Sequence, residues 1–193
     1  MALLLTRNDP ARLVAGTPRA NHGGYPPATV PDREYARILA QNERFIEAFD
    51  RSALTAAPLR GIAILTCMDA RIDVEDALGM RVGDAHIVRN AGGLASRDAV
   101  RSLVVSQQLL GTREIVVIAH TKCGLHGADE ADLRRRVETS TGTATEMRFG
   151  AFDDLDAMVR DQLAILAAEP ALLDVPVHGL VYEVETGRLR EVG

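Results

Sequence analysis

Four apolar runs, at residues 61–66, 85–89, 114–119 and 177–184, are separated by stretches whose apolar residues recur at helical spacing. Uninterrupted runs of this length suit strands covered on both faces, and strands alternating with helices restrict the chain to a parallel sheet flanked by helices. The helices are expected at 72–78, at 97–110 with Val100, Leu103, Val104, Gln107 and Leu110 on one face, and at 153–168 with Leu155, Met158, Val159, Gln162, Leu163 and Leu166 on its stripe. The last residues, from Val181 to Val192, read as a hairpin turning near Thr186-Gly187. The expected fold is therefore α/β: a mostly parallel central sheet of about four strands, with an antiparallel edge strand at the C-terminus.

Residues 1–31 carry Pro10, Pro18, Pro26, Pro27 and Pro31 with Gly16, Gly23 and Gly24, a composition that breaks both periodicities and reads as a mobile tail. From Asp32, which can cap a helix start, Tyr35, Ile38, Leu39, Phe45, Ile46 and Phe49 recur at helical spacing, and this stripe suits either the chain's own core or a partner subunit. Residues 32–193 are expected to form a single domain, because 193 residues with 47% hydrophobic content suffice for one sizeable core. With 22 basic against 27 acidic residues the formal charge is −5, and no basic run appears, which argues against nucleic acid or an anionic membrane as partner. The apolar start Met1-Ala-Leu-Leu-Leu5 is too short for a signal segment, and no later run approaches the roughly 18 residues a membrane span needs. A cytoplasmic location is expected.

The two cysteines are placed suggestively. Cys67 ends the first run, while His120 and Cys123 follow the third. Two cysteines in a reducing compartment are often buried hydrophobes, and a disulfide is the next alternative, but neither explains their neighbours. Cys67-Met-Asp-Ala-Arg71 groups a thiol, a carboxylate and a guanidinium, and His120-Thr-Lys-Cys123 sets two soft ligands three residues apart. Together these read as a zinc site with three protein ligands and an open fourth position, the arrangement that supports chemistry. Asp69 and Arg71 read alternatively as a plain surface ion pair. In an open parallel sheet the ligand crevice lies beyond the carboxyl ends of the strands, which is where these motifs fall, together with Arg89-Asn-Ala-Gly-Gly93.

Cys67-x-Asp69-x-Arg71, Arg89-Asn-Ala-Gly92 and His120-x-x-Cys123, in this order, resemble the signature of the β-class carbonic anhydrases, in their smaller bacterial form. The resemblance runs from about Tyr35 to the C-terminus. It implies one zinc ion held by Cys67, His120 and Cys123, with Asp69 as an alternate fourth ligand that Arg71 holds off the metal. It also implies a pocket lined by Asn90, Ala91, Gly92 and Gly124, and a homodimer or higher homo-oligomer embraced through the N-terminal helix. The implied activity is reversible hydration of carbon dioxide to bicarbonate and a proton by zinc-bound hydroxide; hydrolysis of carbonyl sulfide or carbon disulfide, or a non-enzymatic closed zinc site, are the alternatives. Some members of the family bind inhibitory bicarbonate with a tryptophan, which this chain lacks. His126 reads as a solvated loop histidine, and the 129–138 stretch as a solvated helical face.

Overall fold

The computed structural model describes residues 31–193. The expected tail, residues 1–31, lies outside the described residues apart from Pro31. The chain divides into two compact units, the first ending at Ser52 and the second running from Ala53 to Gly193. All the residues singled out for zinc, catalysis and pocket lie in the second.

The first unit holds α1 (Pro31–Ile46), which starts one residue ahead of Asp32 and stops before Phe49 of the expected stripe. Its apolar residues Tyr35, Ile38, Leu39, Phe45 and Ile46 are exposed, and Phe45 meets Phe49 at a ring separation of 5.5 Å.

The second unit is a five-stranded sheet with the order β2-β1-β3-β4-β5. Strands β1 (Ile62–Cys67), β2 (Ala85–Asn90), β3 (Glu114–His120) and β4 (Val177–Tyr182) are parallel, while β5 (Leu189–Val192) runs antiparallel beside β4. The hairpin turns where expected, with Gly187 at φ 73° and its amide donating to the Glu183 carbonyl.

Alternation along the strands splits the core into two layers. Ala63, Leu65, Ile115 and Val117 pack on one face with Leu103 of α3 (Arg97–Gln108) and Leu166 of α5 (Leu155–Ala168). Ile64, Val116 and Ile118 pack on the other with Val74 of α2 (Val74–Leu78). Burying a side chain such as Leu65 or Leu103, both with no exposed surface, stabilises the fold by about 1.5–3 kcal/mol.

The expected stripe of α3 needs correcting. Its buried residues are Ala99, Leu103, Ser106 and Gln107, whereas Val100 and Val104 are only half-buried. The face is turned by polar partners: the Ser106 hydroxyl lies 2.7 Å from His86 Nδ1 and 2.9 Å from Thr112 Oγ1, and Gln107 Oε1 accepts from the Leu173 amide. On α5 the buried stripe is Met158, Val159, Gln162 and Leu166, as the spacing indicates, and Gln162 Oε1 accepts the Ala95 amide. Helix α4 (Glu130–Thr141) buries no residue, consistent with the solvated face read from its charges. Among the described residues no helix is long and apolar enough to cross a membrane.

Candidate metal centre

Cys67 and His120 are the last residues of β1 and β3, two neighbouring parallel strands, and a tight turn after β3 returns Cys123 beside them. The Sγ atoms of Cys67 and Cys123 and a ring nitrogen of His120 all lie within 4.8 Å of one another. All three residues are buried and both thiols are free of any disulfide, which removes the disulfide alternative for this structure.

The ring of His120 is oriented by its own turn. Nδ1 lies 2.9 Å from the Thr121 carbonyl, an acceptor only, so the proton sits on Nδ1 and Nε2 presents a lone pair to the cysteines. Nε2 is buried and has no hydrogen-bond partner. A buried nitrogen without a partner is costly unless something electrophilic meets it. That orphaned atom, together with two buried thiols, fits a divalent soft metal of the zinc type. Burial is the main influence lowering the His120 pKa, which keeps the ring neutral and able to donate its lone pair. Burial likewise pushes the Cys123 thiol up, with the Leu125 amide pulling the other way and the Cys67 sulfur adding to the rise. A thiol of this kind holds its proton until a cation compensates the charge.

Asp69 stands at the rim, its Oδ2 3.8 Å from His120 Nε2. Its carboxylate is fully engaged by Arg71: Nε donates to Oδ1 at 2.9 Å, Nη2 to Oδ2 at 2.7 Å, and the Arg71 backbone amide to Oδ1 at 2.9 Å. The Arg71 hydrogen bonds hold the Asp69 carboxyl well below the usual carboxylate range, against an opposing push from burial. Arg71 Nη2 also donates to the Lys122 carbonyl at 2.9 Å, tying the first loop to the turn between His120 and Cys123. Lys122 is the single described non-glycine residue with positive φ, at 54°, and this conformation presents its carbonyl to Arg71.

The Arg89-Asn-Ala-Gly-Gly93 segment sits against the same loop. Asn90 closes the turn: its Nδ2 donates to the Leu94 carbonyl and its Oδ1 accepts the Leu94 amide, at 2.7 and 2.8 Å. Ala91 is exposed, Gly92 is buried at φ 82° against Leu94 and Leu125, and Gly124 faces open space. Gly93 lies so close to β1 that an added Cβ would meet the backbone of Thr66 and Cys67 at 3.0 Å. A cavity of about 540 Å³ runs nearby between Leu94, Phe149, Phe152 and Met158, but none of the three proposed metal ligands lines it.

Sequence reasoning misses the use made of Arg89. Its guanidinium donates to the carbonyls of Cys67, Asp69 and Ile72, at 2.9, 2.7 and 3.2 Å, so one cation ties down the whole loop that carries Asp69 and Arg71. The segment is visible in the sequence as a strand-ending motif, but the acceptors lie 17 to 22 residues away and are backbone atoms. His126, expected to be solvated, is exposed yet stacked on Phe152 at 5.3 Å, with Nε2 donating to the Asp153 carbonyl.

A sequence profile of the carbonic anhydrase family matches residues 62–189. Beta-carbonic anhydrase 1 of Mycobacterium tuberculosis is 38% identical over 155 residues, spanning 80% of this chain and 94% of that protein. A carbon disulfide hydrolase of Saccharolobus solfataricus is 37% identical over 159 residues, spanning 68% of this chain and 77% of that protein. Among solved structures, a carbonic anhydrase from Streptococcus mutans superposes with a TM-score of 0.79 at 38% identity, covering 82% of this chain and 97% of that one.

Proposed function

Since the chain belongs to the β-carbonic anhydrase family, we propose that it catalyses the reversible hydration of carbon dioxide to bicarbonate and a proton. The observation that carries this reading is the Asp69–Arg71 pair, which holds a carboxylate beside a three-donor cluster without letting it join the cluster. A site meant only to stabilise the fold has no use for an arginine that withdraws its fourth ligand.

Cys67, His120 and Cys123 would hold zinc. When bound there, zinc supplies the Lewis acidity that activates water, less strongly than among three neutral imidazoles because two thiolates offset its charge. Activity is therefore expected to rise toward alkaline pH. Asp69, kept ionised and acceptor-only by Arg71, takes a hydrogen bond from the attacking water and turns its lone pair toward the substrate carbon. Arg71 sets the position of Asp69 from both oxygens, and the Lys122 carbonyl sets that of Arg71. Gly92 and Gly124, together with Ala91 and Asn90, border the approach in this reading.

Two free thiols suit a reducing, cytoplasmic setting. The exposed apolar residues of α1 favour a homodimer or larger homo-oligomer.

A second reading, hydrolysis of carbon disulfide or carbonyl sulfide, is favoured by the 37% identity to a carbon disulfide hydrolase. Stopped-flow assays of protein with measured zinc content, run in parallel on carbon dioxide and the sulfur analogues from neutral to alkaline pH, decide between the two. Zinc-dependent carbon dioxide turnover rising with pH supports the first reading. Activity confined to the sulfur substrates replaces it with the second, and silence on all substrates with zinc bound refutes both.

A further inference from the structure

The carboxylate of Glu130, the first residue of α4, is captured by three consecutive backbone amides. Phe149 donates at 3.0 Å to Oε2, and Gly150 and Ala151 donate at 2.7 and 3.0 Å to Oε1. Successive amides converging on one anion form a nest, and charge-assisted bonds of this kind are about twice as strong as neutral ones. Those amides, Phe149 first, hold the Glu130 carboxyl below its usual range. Gly150 takes φ 81°, and a Cβ there would collide with Leu94 Cδ1, so the loop is gripped from both sides.

Phe152 comes directly after the nest in the chain. Its amide donates to the Leu125 carbonyl at 3.2 Å, its carbonyl accepts the Gly127 amide at 2.8 Å, and its ring stacks on His126. Phe152 and Leu125 both pack against the buried cluster that contains Cys67 and Cys123. Residues 142–150 have no helix or strand to fix them, and the bonds to Glu130 tie their far end to the start of α4.

We infer that Glu130 is a positioning residue for the metal centre: by capturing the amides of 149–151 it sets Phe152 and Leu125 as an apolar wall against Cys67 and Cys123, and so governs how a small apolar substrate approaches. The kinetic consequence rests on the hydration reading above; the structural consequence does not.

The test uses the zinc-loaded full chain with Glu130→Ala, Glu130→Gln and Gly150→Ala. In E130A, amide hydrogen exchange at 149–152 accelerates about tenfold or more, as expected when a local clamp opens. Zinc content stays at the wild-type level, kcat holds within about twofold and kcat/KM falls about tenfold, because approach geometry rather than the activated nucleophile is disturbed. E130Q, which keeps one acceptor oxygen, falls between wild type and E130A. Millimolar acetate slows exchange in E130A by entering the vacated nest and has no such effect on the wild-type chain. G150A, attacking the loop from the Leu94 side, reproduces the exchange and kinetic pattern of E130A.

Unchanged exchange at 149–152 in E130A overturns the proposal, as does faster exchange with unchanged kcat/KM. If E130A loses zinc or its cooperative melt, E130Q and G150A decide by the same readings. A wild-type chain that does not hydrate carbon dioxide defeats the functional reading, and the exchange and acetate measurements then still decide whether Glu130 holds the wall.

Discussion

The loop from Cys67 to Ile72 and the turn from His120 to Cys123 do the same job by different means. Each follows a buried parallel strand and each delivers thiol or imidazole to one cluster. The first loop is held by side chains: Arg89 spans three of its carbonyls, and Arg71 folds back on Asp69. The second is held through its backbone groups: the Thr121 carbonyl orients the His120 ring, the Thr121 amide donates to the Tyr182 carbonyl, and a left-handed Lys122 aims its own carbonyl at Arg71. Side-chain bonds exchange partners by rotamer changes, whereas a turn held through its peptide groups has no equivalent alternative. The difference assigns the adjustable part of the site, the Asp69 carboxylate, to the first loop, and two of the three candidate metal donors, His120 and Cys123, to the fixed turn.

The sharpest separation comes from the fixed turn. His120→Ala removes the one buried nitrogen aimed at the cysteines, and zinc retention by elemental analysis is expected to fall by at least about 100-fold. Retained zinc would mean that the turn is not what fixes the metal.

Arg71→Ala acts on the adjustable loop. It should leave zinc bound while lowering turnover by roughly 10- to 100-fold, as Asp69, 3.8 Å from His120 Nε2, is released toward the metal. X-ray absorption of the bound zinc would report an added oxygen ligand from the protein. The same variant has a pH signature in stability. The folded Asp69 value lies below the unfolded value of about 3.9, so the Arg71 pairing stabilises the fold above that pH and is lost as pH falls through the folded value. R71A should therefore show a shallower loss of stability than wild type on acidifying below about pH 4. Equal acid curves would place the Asp69 shift elsewhere.

Arg89→Met keeps the length of the side chain and removes its three donations. Chemical denaturation should show a loss of about 1–3 kcal/mol, with faster amide exchange confined to 67–72. Exchange that rises equally at 120–123 would erase the contrast between the two segments. The smallest effect belongs to Lys122→Gly. A left-handed lysine is costly and glycine is not, but glycine adds unfolded-state entropy and loses the exposed Glu185 pairing, so a net gain of at most about 1 kcal/mol is expected, with activity kept.

The contrast also explains what can be read from the chain alone. The strands are legible because burial on both faces demands unbroken apolar runs, and Cys67, His120 and Cys123 are legible because soft donors at strand ends have few other uses. Asp69 and Arg71 are visible as a pair through their proximity. Arg89 is not readable as a clamp because its three acceptors are carbonyls, which every residue possesses. The same holds for the Lys122 carbonyl and for the amides around Glu130: backbone atoms leave no mark in residue identity. The two bonds by which Asn90 closes the turn opened by its neighbouring glycines are likewise to backbone atoms, those of Leu94. The spacing finds Leu103 and Gln107 on the buried face of α3 but misses Ser106 for a related reason, since its partners are His86 of β2, distant in sequence, and Thr112 beyond the helix end.

Gly93 bears on heredity. Backbone atoms of Thr66 and Cys67 occupy the space where any side chain at 93 would begin, so no repacking of neighbouring side chains makes room for one. Here a single codon change pushes apart the strand that ends in Cys67 and the turn that follows Asn90. Lineages descending from such a chain inherit the strand end and the turn as one indivisible unit.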